Sequence, residues 1–241
     1  MAVTVGQPLY ENGLLSQTTG GILRPGGLDL TGRLLALCNL THGACILDVG
    51  CGAGVTVEHL LEAGFVHIFG IDPSQLLLQN GIAHHSNLPL ACGLGEALPL
   101  AGNQWDAILA ECSLSAMPEI EAVLGEFQRL LRHGGCLALS DVYARDPTGL
   151  PALRALPLQC GLREAMTQDE LVSRIKAQGF EIMAWEDHSD MLKHLAAQMI
   201  MEQGSLSEFW SCSEAVVDPM DIQIAIRKVK LGYFLLVAKK L

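Results

Sequence analysis

Residues 46–54 read Ile-Leu-Asp-Val-Gly-Cys-Gly-Ala-Gly: an apolar run breaks into three alternating glycines, and helical periodicity resumes at Val55. Few folds accept that order. Glycine takes positive φ without steric cost and lets backbone approach a ligand closely, and the helix behind it presents unpaired N–H groups. A glycine loop by itself is equally a tight turn, so its surroundings decide. The alternation continues, with apolar runs at Ala44–Val49, Val66–Ile71, Leu88–Gly93, Trp105–Ala110 and Cys136–Asp141. Amphipathic stretches near 55–63, 74–84 and 119–132 separate them. Nearly unbroken apolar strands alternating with helices predict βαβ units and a mostly parallel sheet covered on both faces. His133-Gly134-Gly135 is expected to close the third helix, a cation followed by glycines.

The remainder is read as elaboration of one domain spanning 1–241, since 241 residues fit a single large unit. Residues 1–43 carry glycine-rich turns and a helix near 29–40, an N-terminal helical cap before a 44–141 core. After Asp141 the alternation stops. Prolines at 147, 151 and 157 mark a loop with short helical pieces. Thr167 and Glu170 form a capping box for a helix ending at Gly179. Phe180–Trp185 reads as a strand, His188–Gln203 as a helix and Gly232–Ala238 as the last strand, within a final 231–241 segment. The stretch 187–230 is too long for a hairpin and is expected to be a cap or interface element within a substrate-side region, 142–230.

Composition excludes several classes. Hydrophobic residues are 50% and charged ones 17%, with mean hydropathy +0.32, so the chain is not disordered. The longest run without a charge, 73–95, contains polar residues and two prolines, which argues against a membrane span. The opening MAVTVGQPLYENG has neither a basic nor an apolar region, so no secretory signal is expected and the cytoplasm is the expected location. Net charge is −11, which disfavours a nucleic-acid partner. Eight cysteines include no Cys-x-x-Cys pair, so no metal site is expected and free thiols are.

In a dinucleotide fingerprint the third glycine would fall on Val55, which counts against a nicotinamide or flavin enzyme. Asp72 ends the second strand 20 positions after Gly52, where an acid pairs with ribose hydroxyls; it is equally placed to be a helix N-cap with Pro73 at N1. The segments ILDVGCGAG, GIDPS, GEALPL, WDAIL and RLLRHGGCLALSD, in this order, resemble the class I S-adenosylmethionine-dependent methyltransferases, in particular the small-molecule branch called type 11. The resemblance implies a Rossmann-like three-layer α/β/α sandwich, a seven-stranded mostly parallel sheet with an antiparallel last strand, and a helical cap insertion. It implies S-adenosyl-L-methionine as cofactor and a small-molecule acceptor. By carry-over, Asp48, Gly50, Cys51, Gly52 and Gly54 hold the methionine part, and Asp72, followed by Pro73 and Ser74, the ribose. Leu94, Gly95 and Glu96 flank adenine, while Glu111 and Cys112 line the methionine end. Leu94 departs from the family, which often has Asp there for the adenine amine.

Candidates on the acceptor side are Tyr10, Arg24, Tyr143 and Cys160, with Asp141 and Arg145 in the loop after the fifth strand. Each also has a plain reading as packing or rim. His84-His85 suits a helix C-terminus, and Glu186-Asp187-His188 suits a charge cluster at a helix start, there being no nucleophile motif beside it. Residues 160–165 are similar to a segment of arsenite methyltransferases, with Cys212 as a possible second thiol. The tyrosine-glycine-cysteine-glycine element of those enzymes is absent. A non-catalytic cofactor-binding accessory protein is the other reading, and helix 188–203 is apolar enough for a homodimer interface.

Overall fold

The computed structural model describes residues 9–11, 22, 24–158, 160–213 and 217–241, with the backbone alone at 212 and 213. Its strands are β1 Cys45–Val49, β2 His67–Asp72, β3 Leu90–Cys92, β4 Trp105–Glu111, β5 Leu131–Ala144, β6 Phe180–Asp187 and β7 Leu231–Lys240. They form one seven-stranded sheet in the order β3-β2-β1-β4-β5-β7-β6. Pairs from β3 through β5 are parallel, and β7 runs antiparallel to both β5 and β6. This is the Rossmann-like α/β sheet expected, antiparallel last strand included.

Period-2 alternation gives the sheet two apolar faces. Leu47, Val49, Ile108 and Leu137 pack with Val123, Leu124 and Phe127 of α4 (Ile120–Leu130) and with Leu171 and Ile175 of α6 (Gln168–Ala177). Ile46, Ala107 and Leu109 face the other way. They meet Leu30 and Leu34 of α1 (Gly27–Cys38) and Val57 and Leu60 of α2 (Val55–Glu62). A third cluster joins α5 (Leu150–Arg154), α7 (Ser189–Gln203), α8 (Leu206–Ser213) and α9 (Pro219–Val229) around Leu153, Phe209, Trp210 and Ile222. Helices α7, α8 and α9 of the 187–230 stretch thus share this cluster with α5 and with Ala144, Leu158 and Ala165. No described helix is long and apolar enough to cross a membrane.

Thr167 caps α6 as expected, its hydroxyl accepting from Glu170 N at 3.2 Å. His133-Gly134-Gly135 does not close a helix. α4 ends at Leu130, β5 pairs at once through Leu131 with Trp105, and the next register pair is Cys136 with Ala107. Residues 132–135 loop out as a bulge with Gly134 at φ 74°, and the cation of the last helical turn is Arg129, bonded to Glu126. Strand pairing so close to the helix end overrode the glycine signal. Of the 1–43 cap, the helix at Gly27–Cys38 is described, while the glycine-rich turn at 20–21 lies outside the described residues.

His84 and His85 stand at the end of the helix Gln75–His84, and His85 pairs with Glu58 on α2. Glu186 binds Arg33 of α1 and His188, partners that pull its carboxyl down to about 2. Asp187 accepts from Ser189 N at 2.8 Å. The Glu-Asp-His segment thus fastens β6 to α1 and starts α7.

Candidate active site

In an open sheet the ligand crevice lies outside the carboxyl ends of the strands, where the strand order reverses. Here that point is β1, between β2 and β4. Gly50 N and Cys51 N both donate to Ile71 O, at 2.8 and 3.1 Å, which pins the glycine loop to β2. Gly52 N donates to Asp72 Oδ2 and Ser74 N to Asp72 Oδ1, each at 2.8 Å. Asp72 is therefore not the helix N-cap. Ser74 caps α3 (Gln75–His84), its hydroxyl accepting from Leu77 N, while Asp72 is held rigidly at the crevice wall.

The three glycines do different work although all have positive φ, at 79°, 55° and 80°. A Cβ on Gly50 would lie 2.3 Å from Ser113 Cβ, and one on Gly54 3.0 Å from Leu90 Cδ1. These two exist for packing. A Cβ on Gly52 would meet nothing nearer than Leu77 Cδ1 at 3.8 Å, because that face is open to the cleft.

The cleft encloses about 1030 Å³, its solvent-filled mouth included. Of the residues read from sequence as cofactor-binding, Gly50, Cys51, Gly52, Asp72, Pro73, Leu94, Gly95, Glu96, Glu111 and Cys112 line it, as do Tyr10 and Arg24. Asp48, Gly54 and Ser74 do not. Asp48 is buried in β1 behind the wall, Gly54 packs on Leu90, and Ser74 is spent on its cap. Tyr143 and Cys160 are also away from it. The Tyr143 ring sits edge-on to Trp185 and Phe234, on the β6 and β7 side of the sheet, and Cys160 borders the cap cluster. Asp141 is consumed in structure, accepting from Ser115 N and Oγ at 2.8 Å. Arg145 donates to Lys230 O. The side chain of Cys212 lies outside the described residues.

Sequence reading missed the wall formed by Ile71, Leu77, Ser113 and Met117. Ser113 was findable, because it directly follows the strand-end Glu111-Cys112; its hydroxyl donates to Val49 O at 2.8 Å and ties the end of β4 to the end of β1. Also missed were Thr31 and Thr56, whose hydroxyls reach Glu111 at 2.9 and 3.2 Å. Cys112 holds φ 55°, a region costly for a residue with a side chain, and donates its N–H to Ser140 O at 2.6 Å.

The cleft is electrostatically unbalanced. Arg24 is the only Lys, Arg or His among the described lining residues, against Asp72, Glu96 and Glu111. Arg24 Nη2 pairs with Glu111 Oε1 at 3.2 Å and bonds Thr31 and Thr56, yet its Nε is buried without an acceptor among the described residues. Burial raises Glu111 and Asp72 above the usual carboxylate range, opposed by Arg24 for the first and by the Ser74 and Gly52 amides for the second. Asp48 is pushed up to about 8, by burial first and then by Glu111. Such a site suits a ligand with a cationic centre beside carboxylates and an anionic end beside Arg24. S-adenosylmethionine has both, a sulfonium with an ammonium and a carboxylate, and the open Gly52 face leaves room for backbone contact.

Comparison with known proteins agrees with that geometry. Residues 47–139 match the family described as "Methyltransferase domain". The chain is 29% identical over 170 residues to a demethylmenaquinone methyltransferase of Corynebacterium urealyticum, covering 62% of this chain and 73% of that one. It is 30% identical over 169 residues to a 27-O-demethylrifamycin SV methyltransferase of Amycolatopsis mediterranei, covering 66% and 62%. Among solved structures it resembles the 4+2 cyclase SpnF, with a TM-score of 0.76 and 25% identity over 96% of this chain and 93% of that one. With the fold, the glycine loop and the acidic cleft in agreement, the chain belongs to the class I S-adenosylmethionine-dependent methyltransferases, enzymes that move a methyl group to a small-molecule acceptor.

Proposed function

We propose that the Gly50–Gly54 loop and Arg24 hold the methionine end of the cofactor, Asp72 its ribose hydroxyls, and the Leu94–Glu96 turn its adenine. The observation that carries this reading is the buried Arg24 Nε with no acceptor among the described residues, set in the same wall as the open Gly52 face. Each points to a ligand carboxylate at the helix α2 end of the cleft. In the 44–141 core the cofactor would then lie across the strand ends, with the acceptor reached from the Ile22 and Ala116–Pro118 side, which is apolar. The bound cofactor supplies an activated methyl group on sulfur. The chain's part is alignment and exclusion of water, a proximity contribution of roughly 7–11 kcal/mol in favourable cases. No His or Lys is among the described lining residues, which supports an apolar acceptor whose nucleophilic lone pair needs no strong base. The relatives named for demethylmenaquinone and a demethylrifamycin support a small-molecule acceptor. Because one structural relative is a cyclase, transfer of a labelled methyl group, not cofactor binding alone, is the deciding assay; binding with no transfer to any apolar acceptor would favour an accessory role.

Asp72→Ala is expected to weaken S-adenosylhomocysteine binding about 10- to 100-fold, at roughly 1–3 kcal/mol for each hydroxyl left unpaired. Titration calorimetry reads this, and unchanged affinity would remove Asp72 from the site.

The raised carboxyls also predict proton linkage. Asp48 moves from 3.8 to about 8 on folding. Between those values the folded state holds a proton that the unfolded state has lost, so stability falls as pH rises through that window. A cationic ligand reverses the preference and expels the proton. S-adenosylmethionine should release more protons on binding near neutral pH than S-adenosylhomocysteine, which has no sulfonium. Calorimetry in buffers of different ionisation enthalpy measures both, and equal release by the two ligands would refute the linkage.

The acidic charge of −11 supports an acceptor other than nucleic acid, and the free thiols among the described residues support a cytoplasmic setting. A homodimer through α7, whose Ile200 is 43% and Met201 87% exposed, is tested by light scattering.

A further inference from the structure

A second cleft opens on the opposite end of the sheet from the glycine loop, about 490 Å³ with its solvent-filled mouth. Cys38, the last residue of α1, and Cys136, on β5, meet there although 98 positions apart in the chain. Cys136 Sγ donates to Cys38 O at 3.7 Å, and both cysteines line the cleft. The cleft exists because residues 132–135 loop out of β5, so Gly134 and Gly135, which carry no side chains, border it beside the sulfur atoms. Its rim is basic. Lys239 stands opposite Cys136 in the β5–β7 register, on the same sheet face, and Arg132 and His133 line the mouth, Arg132 being paired with Asp106.

We propose that Cys38 and Cys136 form a reactive dithiol site that is oxidised to an intramolecular disulfide by a small anionic disulfide entering this cleft. The chemistry follows from the two positions. Cys136 is the more acidic thiol: the neighbouring Cys38 side chain and then Lys239 favour its charge, which together outweigh burial and bring it down to about 7. It is therefore the attacking sulfur. The Cys136 thiolate attacks one sulfur of the incoming disulfide, forming a mixed disulfide and releasing one thiolate. Cys38, giving its proton to that released thiolate, attacks Cys136 Sγ and releases the second thiolate, which takes up from solvent the proton Cys136 lost on ionising. Two protein thiols and one small disulfide become one protein disulfide and two small thiols, so electrons and protons balance. Reduced small thiols reverse the exchange. The product would cross-link the C-terminal end of α1 to the centre of the sheet, and the same helix presents Thr31 to Glu111 in the cofactor cleft.

The probe is oxidised glutathione, incubated with the folded wild-type protein before acid quenching, alkylation and peptide mass mapping. Wild type should yield a Cys38–Cys136 linked peptide lighter by two hydrogen atoms and restored by dithiothreitol. Cys38→Ser should instead retain glutathione on Cys136, because the resolving thiol is gone. Exposed Cys92 serves as the internal comparison, a thiol with no thiol partner among the described residues. Glutathione on Cys92 alone, with Cys38 and Cys136 alkylated only after unfolding, would overturn the proposal, as would a cross-link that joins any other pair. The wild-type readout needs no variant to fold.

Discussion

Gly52→Val is expected to abolish S-adenosylmethionine binding in a protein that still folds. The substituted carbon would point into the cleft, where the nearest protein atom is Leu77 Cδ1 at 3.8 Å, so the added bulk displaces ligand and not core. At φ 55° a side chain costs about 1–2 kcal/mol of backbone strain, less than the roughly 5–15 kcal/mol that holds a domain together. Its neighbours give the contrast. Gly50→Ala would put carbon 2.3 Å from Ser113 Cβ and Gly54→Val would press on Leu90 from 3.0 Å, so both should lower the melting temperature before they affect affinity. Calorimetry with a parallel thermal melt separates the two behaviours. A Gly52→Val protein that binds as tightly as wild type would mean that the cofactor does not lie against this loop.

That contrast also shows how far the sequence carries. The glycine loop, the alternation of strands and helices, and the acid at the end of β2 are local patterns, and each was readable because period and spacing are written along the chain. What a glycine is for is not. Gly50, Gly52 and Gly54 look alike in sequence, and only packing against Ser113 and Leu90 separates two structural glycines from one that faces the cleft. The same limit explains Asp72 and Ser74, where two polar residues on either side of Pro73 compete for one cap and the winner depends on Gly52 N, 20 positions before Asp72. Tyr143 was placed on the acceptor side from its position after a strand. The antiparallel insertion of β7 beside β5 put Trp185 and Phe234 against it instead. Bulge residues 132–135 carry the sequence of a helix stop, and long-range pairing of β5 with β4 decided otherwise.

Glu111→Ala is expected to be the most destabilising substitution in the cleft. From sequence it was a candidate for the methionine end. In the structure its carboxylate is nearly fully buried, with 2% of the side chain exposed, and is encircled by Arg24, Thr31 and Thr56. Those four residues come from the N-terminal segment, α1, α2 and the end of β4, so one carboxylate fastens three parts of the chain to the sheet. Removing it leaves the Arg24 guanidinium 10% exposed and without its counter-ion, besides stranding two hydroxyl donors. Breaking a buried pair from one side costs about 3–5 kcal/mol, most of it the penalty of the uncompensated charge. The charge, not the lost contact, should therefore dominate, and a double variant tests this. Arg24→Met combined with Glu111→Ala removes both charges and should recover part of the stability lost by Glu111→Ala alone, giving a non-additive cycle. Cofactor affinity should not recover, since the guanidinium proposed for the ligand carboxylate is then absent. Denaturant melts of the four proteins measure the first, and S-adenosylhomocysteine titration measures the second. If Glu111→Ala costs less than about 1 kcal/mol, in the range of an exposed pair, Glu111 and Arg24 are solvated in solution and the lock between α1 and the cleft does not exist.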